Sequence, residues 1–269
     1  GQGLSNAVGM AIAQKRLADH FNREDFPILD YKIYVIASDG DLEEGVASEA
    51  CSLAGHLGLD NLVVVYDDNH ISIDGETGLA FTEDRAKRFD AYGWYVQKVE
   101  GDGNDMKKFE RALIRAKSEV GRPSIINLRT HIAYGAPSMQ DTAKAHGSPL
   151  GDQEIRLTKK KFGWDPDKQF HVPDEAMEHM RKAVDRGKEA EEKWNELFEK
   201  YAEKYPDLAK ELKDASEGRL PVKLKEVLPK FEAGESMATR VASGKVLAAI
   251  MPHLPLVMGG SADLTPSNN

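Results

Sequence analysis

Two acidic turns hold the residues best placed to do chemistry. Ser38-Asp39-Gly40-Asp41-Leu42-Glu43-Glu44-Gly45 and Asp67-Asp68-Asn69-His70-Ile71-Ser72-Ile73-Asp74-Gly75 each follow a short apolar run rich in β-branched residues. Carboxylates, an amide and backbone carbonyls are hard oxygen ligands, the kind that Mg²⁺ takes while keeping positions open for phosphate and water. Gly40 lets the backbone approach an anion closely, and the helix that follows points free N–H groups the same way. Asp39 conflicts with anion binding on its own, because a carboxylate beside a phosphate repels it unless a cation lies between them. A divalent metal held by Asp39, the Asn69 side chain and the Ile71 carbonyl resolves the conflict. The same spacing also fits Asp39 as a helix cap and Asn69 as a turn residue, roles common for both types.

The elements that must position these turns follow from the hydrophobic pattern. Tyr34 to Ala37 and Leu62 to Tyr66 read as strands buried on both faces of a parallel sheet, with a helix from Glu43 to Leu57 between them. In open α/β sheets ligands bind beyond the carboxyl ends of the strands, where both acidic turns emerge. The alternation extends from a helix at Leu4 to His20 through a helix at Glu83 to Tyr92, a strand at Tyr95 to Val99, a helix at Asp105 to Glu119 and a strand at Ser124 to Leu128. The expected fold is α/β, a doubly wound, mostly parallel sheet with helices on both faces, followed by a helical connector. Ala133 to Gly151, rich in Gly, Pro, Ser and Thr, is expected to be a long functional loop. From Asp174 to Lys213 the chain reads as a charged helix, with Trp194, Leu197, Phe198 and Tyr201 at helical spacing as its buried stripe. Beyond Pro221, Ser236 to Met251 reads as a helix and Leu254 to Met258 as a strand.

With 269 residues and 41% hydrophobic content, the chain can bury a sizeable core. A net charge of -9 argues against nucleic acid as the main partner. The single Cys51 excludes an internal disulfide framework, and its setting predicts a buried structural thiol. Without a signal-peptide pattern or an apolar run of spanning length, no membrane partner is expected and a cytoplasmic place is. The chain opens inside a glycine-rich turn and stops after a loop, so it is expected to be a central portion of a longer enzyme.

The Asp-Gly of the first turn followed by Asn in the second resembles the cofactor motif of thiamine diphosphate enzymes, and the surrounding sequence resembles transketolase. The likeness runs in order through Gly1 to Ala11, Cys51-Ser-Leu-Ala-Gly55, Asn69 to Gly75, Ala91-Tyr-Gly-Trp94, Ala145-His-Gly-Ser-Pro-Leu-Gly151 and Gly259 to Asn268. It departs from the usual motif at Ser38 and His70, where glycine is common. Neither departure removes a ligand.

The resemblance implies transfer of a two-carbon ketol unit from a ketose phosphate to an aldose phosphate through thiamine diphosphate with Mg²⁺ or Ca²⁺. It implies a diphosphate-binding domain over 1–173, a helical connector over 174–230 and the start of a pyrimidine-binding domain over 231–269. Sugar phosphates are the implied substrates, and a homodimer or a complementary chain the implied partner. His146, by itself an ordinary loop histidine, lies by resemblance near the cofactor diphosphate and the substrate. Ile73, which the sequence alone reads as core, is implied to touch the thiazolium ring. Glu44, otherwise an exposed first-turn acid, is implied to join a proton-sharing cluster at a subunit interface. Arg240 and Ser267 are implied to hold the sugar phosphate, and Asp263 the thiazolium side of a neighbouring subunit's cofactor. The aromatic residues that stack the pyrimidine and the glutamate that protonates it are implied to lie outside this chain. A non-catalytic binding or assembly module is the competing expectation.

Overall fold

The computed structural model describes residues 1–99, 101, 103–261 and 263–268. It divides into two compact units, Gly1–Lys15 with Asp30–Lys182 and Arg16–Leu29 with Ala183–Asn269.

The first unit is built on a four-stranded sheet: β1 (Ile33–Ser38), β2 (Leu62–Asp68), β3 (Tyr95–Val99) and β4 (Ser124–Arg129). The strand order is β1-β2-β4-β3 and every neighbouring pair is parallel. Val35 lies opposite Val64 and Val65 opposite Ile126, so the apolar runs form one continuous ladder. Because side chains alternate across a strand, Leu62, Val64 and Tyr66 of β2 face one way and Val63 the other. The first face packs against α1 (Gln2–Phe21), α3 (Gly45–His56) and α4 (Arg85–Ala91) through Leu4, Val8, Ala47, Ala54 and Phe89. The second packs against α5 (Met106–Ser118) through Ala112 and Ala116. The sheet is thus covered on both faces, as the alternating pattern predicted. β1 is the exception. Its Tyr34 and Ile36 are exposed, because α5 packs over β3 and β4.

The layer is locked by one close approach. A side-chain carbon on Gly55 would stand 1.8 Å from the Tyr92 carbonyl, so only glycine lets α3 reach the turn before β3. There Trp94, fully buried, donates its indole N–H to the Cys51 carbonyl at 2.9 Å. Cys51 is buried as expected, and burial pushes its thiol up to about 12, leaving it unreactive.

Three expectations are corrected. The helix read from Glu43 to Leu57 is present as α3, starting two residues later, and an unexpected short helix α2 (Asp39–Glu43) precedes it, set apart because Glu44 turns extended at ψ 134°. The connector is broken too, into α7 (Asp174–Lys204) and α8 (Pro206–Ser216), since Pro206 has no N–H to continue the first helix and suits the start of the next. Leu254 to Met258 forms no strand. It follows a tight turn at Met251–His253, Pro252 and Pro255 lack donors, and the four described strands that would offer pairing all lie in the first unit.

The second unit gathers Tyr201, Phe21, Ile28 and Ala209 as its buried centre, with Leu197 and Phe198 partly buried against it. The Tyr201 hydroxyl donates to the Phe21 carbonyl at 2.8 Å and Trp194 Nε1 to the Ile28 carbonyl at 2.9 Å. The expected buried stripe is therefore core only toward its Tyr201 end, for Trp194 at its other end is 41% exposed. Short helices α9 (Leu224–Val227), α10 (Thr239–Ile250) and α11 (Thr265–Asn268) complete this unit, while α6 (Asp152–Lys161) belongs to the first.

Candidate functional site

A parallel sheet brings all its carboxyl ends to one edge, and there the two acidic turns meet. Asp39, the first residue of α2, is completely buried. Its Oδ1 accepts the Tyr66 hydroxyl, and its Oδ2 accepts the His70 backbone N–H at 2.9 Å. Asp39 is therefore not the cap of its helix. That position is held by Ser38, whose N–H and hydroxyl donate to Asp41 Oδ2 at 2.9 and 3.0 Å. Burial, with Asp68 nearby, raises the Asp39 carboxyl above its ordinary value against the opposing pull of its hydrogen bonds. Both donors that touch it are neutral. A buried carboxylate is ordinarily paired with a cation or bound to a metal, and the nearest guanidinium, Arg85, spends its contact on Asp68 at 3.0 Å.

The second turn supplies neutral oxygens beside that charge. Asn69 is buried and its Oδ1 accepts the Ile71 N–H at 2.9 Å, an Asx turn that fixes the amide and leaves the oxygen a second lone pair. Ile71 lies opposite Glu76 in an isolated antiparallel bridge whose bonds run from Ser72 N–H to Gly75 and from Thr77 N–H to His70. The bridge thus bypasses the Ile71 carbonyl, which meets no donor among the described residues. His70 has φ 66°, in the left-handed region that favours glycine. Its ring Nε2 lies 3.1 Å from Asp68 Oδ1.

Asn69, His70 and Ile71 of this turn border a cavity of about 450 Å³ whose other charged lining residues are Glu76, Arg85, Arg129 and Asp141. Over Gly40 the space is open: a side-chain carbon there would meet nothing within 4 Å. Among the described residues no trio of His, Cys, Asp and Glu side chains converges. The candidate set is one buried carboxylate with neutral oxygens, which suits a hard cation that shares its charge with a phosphate. The donor set and the uncompensated Asp39 charge both fit such a cation.

The other expected site residues are more dispersed. Ile73 is 72% exposed, which removes the core reading. His146 is exposed, just past the short turn Ala143–Ala145, and its ring meets no partner among the described residues. Its loop is tied down on either side: His131 Nδ1 lies 2.9 Å from Asp141, and buried Glu154 accepts the Ser138 N–H and hydroxyl at 2.7 and 2.8 Å. Glu44 is exposed between α2 and α3. Arg240 on α10, Asp263 with φ 67°, and Ser267 on α11 are exposed and belong to the second unit. Ala262 of the Gly259 to Asn268 motif lies outside the described residues.

Sequence reasoning missed Tyr66, Asp68 and Arg85. The Tyr66 hydroxyl lies 3.0 Å from Asp68 Oδ1, and Arg85 sits over the Tyr66 ring at 5.8 Å. The available signal was Tyr66 itself, a hydroxyl in an apolar strand that needs a partner when buried.

Residues 1–221 match the thiamine diphosphate binding domain of transketolase. The transketolase of Geobacillus stearothermophilus is 49% identical over 269 residues, all of this chain and 40% of that protein. That of Aquifex aeolicus is also 49% identical, over all of this chain and 38% of its own length. The solved transketolase of Pichia stipitis in complex with sedoheptulose-7-phosphate aligns with a TM-score of 0.91 at 43% identity, covering 100% of this chain and 40% of that one. This chain therefore spans about 40% of the length of relatives such as that of Geobacillus. The parallel sheet, the paired turns at its carboxyl edge and a match extending well past half of the residues agree: the chain belongs to the transketolase family, through its thiamine diphosphate binding domain.

Proposed function

We propose that this chain anchors the diphosphate of thiamine diphosphate through a divalent cation, Mg²⁺ or Ca²⁺, and so supplies that half of a transketolase-type site. The observation that carries the reading is the buried Asp39 carboxylate, satisfied only by neutral donors and facing the free Ile71 carbonyl's turn. Asp39, Asn69 and Ile71 would hold the cation, and Gly40 would leave room for the phosphate oxygens. When bound, thiamine diphosphate supplies the nucleophilic carbon and the electron sink needed to cleave a bond beside a carbonyl. Ile73 offers an exposed apolar side chain to the cofactor ring. His146, on its tethered loop, would donate to a phosphate or move a proton. Glu44 would take part in proton sharing at an interface between subunits of a dimer.

The substrates we propose are a ketose phosphate donor and an aldose phosphate acceptor, in keeping with the sugar phosphate held by the Pichia relative. Arg240 and Ser267 suit a sugar phosphate, the guanidinium because its planar fork binds two oxygens. Asp263 would approach the thiazolium side of a neighbouring subunit's cofactor. The proposed division is 1–173 for diphosphate, 174–230 as connector and 231–269 as the start of a pyrimidine-binding part. No helix among the described residues is long and apolar enough to cross a membrane, and we place the activity in the cytoplasm.

A second reading rests on the 40% share of the relatives' length: these residues act as a binding or assembly module that turns over only with a complementary chain. Calorimetric titration with thiamine diphosphate, with and without Mg²⁺, tests the anchor. Metal-dependent heat supports it, and heat that ignores Mg²⁺ refutes it. Ketol transfer between sugar phosphates, assayed with the chain alone and after adding a chain bearing the relatives' remaining part, separates the two readings.

A further inference from the structure

The Tyr66 hydroxyl has one proton and two carboxylates within reach, Asp39 Oδ1 and Asp68 Oδ1. The second is already supplied. Asp68 Oδ1 receives Arg85 Nη2 at 3.0 Å and stands 3.1 Å from His70 Nε2. The phenol proton is therefore left for Asp39. On its other side Asp39 is held by the His70 N–H. A carboxylate bonded at one oxygen by β2 and at the other by the turn that follows it cannot turn about its side-chain bond without breaking one of those bonds. The ring of Tyr66 fills core between Val64 and the helices, work a phenylalanine ring would do as well. Only the hydroxyl touches the acidic turn.

We infer that Tyr66 is a positioning residue: its hydroxyl fixes the Asp39 carboxylate so that its free lone pairs face the cation, and Arg85 directs that proton by satisfying Asp68. This inference rests on Asp39 as a cation ligand. Neither Tyr66 nor Arg85 touches the cation in this scheme. Preorganising a first ligand through a second layer of hydrogen bonds typically changes metal affinity by about 10–100-fold.

The test uses the whole chain with Mn²⁺ as probe and thiamine diphosphate present, reading free Mn²⁺ by its six-line electron paramagnetic resonance signal. Tyr66→Phe is expected to weaken Mn²⁺ uptake about tenfold, and Arg85→Gln to weaken it in the same direction. Circular dichroism spectra that match wild type would show that each fold is kept. Asp39→Asn is the control for the underlying reading. In the Asp39→Asn background, adding Tyr66→Phe should change residual uptake by less than twofold, an outcome that a purely structural tyrosine would not give. If Asp39→Asn loses Mn²⁺ while Tyr66→Phe binds within twofold of wild type, the positioning role is overturned and the ligand reading stands. If the wild-type chain takes up no Mn²⁺, or Asp39→Asn takes up as much as wild type, the ligand reading fails and the inference falls with it.

Discussion

Replacing Asp39 by asparagine should move stability and binding in opposite directions. Without a cation, the folded chain bears a fully buried carboxylate that accepts two neutral donors, the Tyr66 hydroxyl and the His70 N–H. Hydrogen bonds to a charged acceptor contribute about 1.5–3 kcal/mol each and those to a neutral one about 1, so Asp39→Asn sacrifices roughly 1–4 kcal/mol of hydrogen bonding across the pair. Against this stands the desolvation of the carboxylate, which remains several kcal/mol after relaxation. The raised Asp39 carboxyl shows which effect wins: burial outweighs the bonds. The metal-free Asp39→Asn chain is therefore expected to be as stable as wild type or about 1 kcal/mol more so, a rise in Tm of about 2–4 °C in a protein of this size. With Mg²⁺ and thiamine diphosphate the order inverts, because only the carboxylate gains a cation. Ligand at 100 times its Kd stabilises by about 2.7 kcal/mol, and the variant should show almost none of that shift. Differential scanning calorimetry in EDTA, then in Mg²⁺ with thiamine diphosphate, gives both numbers. A metal-free variant that melts several degrees below wild type would refute the charge argument. A variant that keeps the ligand-induced shift would refute Asp39 as a ligand.

Further outcomes follow from the surrounding geometry. At His70, with φ 66°, the left-handed backbone costs a residue with a Cβ about 1–2 kcal/mol, so His70→Gly should be more stable than His70→Ala by about 1 kcal/mol in urea unfolding, the reverse of the usual order. Gly55→Ala should destabilise by about 1–3 kcal/mol, since its new carbon would stand 1.8 Å from the Tyr92 carbonyl; a variant within 0.5 kcal/mol of wild type, roughly the noise of surface changes, would contradict that contact. Burial pushes the Asp60 carboxyl up, but Lys15 and the Gly121 N–H outweigh it and hold it below its ordinary 3.8. Its contribution to stability is thus full above that value and is lost as pH falls through the lower folded value. The wild-type advantage over Asp60→Asn should accordingly be constant near neutrality and shrink below about pH 4, as read by urea midpoints across that range.

How much of this was legible in sequence depends on how local each cause is. The parallel layer was, because β-branched runs such as Leu62 to Tyr66 carry their periodicity within a few residues. The pair of acidic turns was legible too, as composition at the ends of strands. The short helix α2 was not: its five residues include two aspartates and a glycine, poor helix formers, and Glu44 at ψ 134° sets it apart from α3. The missing strand at Leu254 shows the opposite failure. Its residues are apolar, but a strand is defined by a neighbour, and none of the described strands lies in that unit. Likewise Ile36, apolar and within a strand, is 76% exposed because burial depends on what covers a face.

Tyr66 and His70 show why a site is harder to read than its scaffold. In the hydrophobic pattern Tyr66 counts as one more apolar residue, since what matters about it is one oxygen, and the partner of that oxygen lies on the turn after a different strand. His70 looks like a loss, an unfavourable residue at a left-handed position, until its two contacts are counted: a backbone N–H to Asp39 and a ring nitrogen beside Asp68. Local rules are broken here twice over, by a buried charge and by a strained backbone, within a few residues of each other. Such violations persist only where surrounding structure over-determines them. The rigid parallel ladder from Ile33 to Asp68 does so, because it fixes Asp39 and Asn69 at adjoining strand ends whatever their own preferences. A uniformly comfortable turn would leave Asp39 free to rotate toward solvent, and a carboxylate that solvent can satisfy has less to gain from a cation.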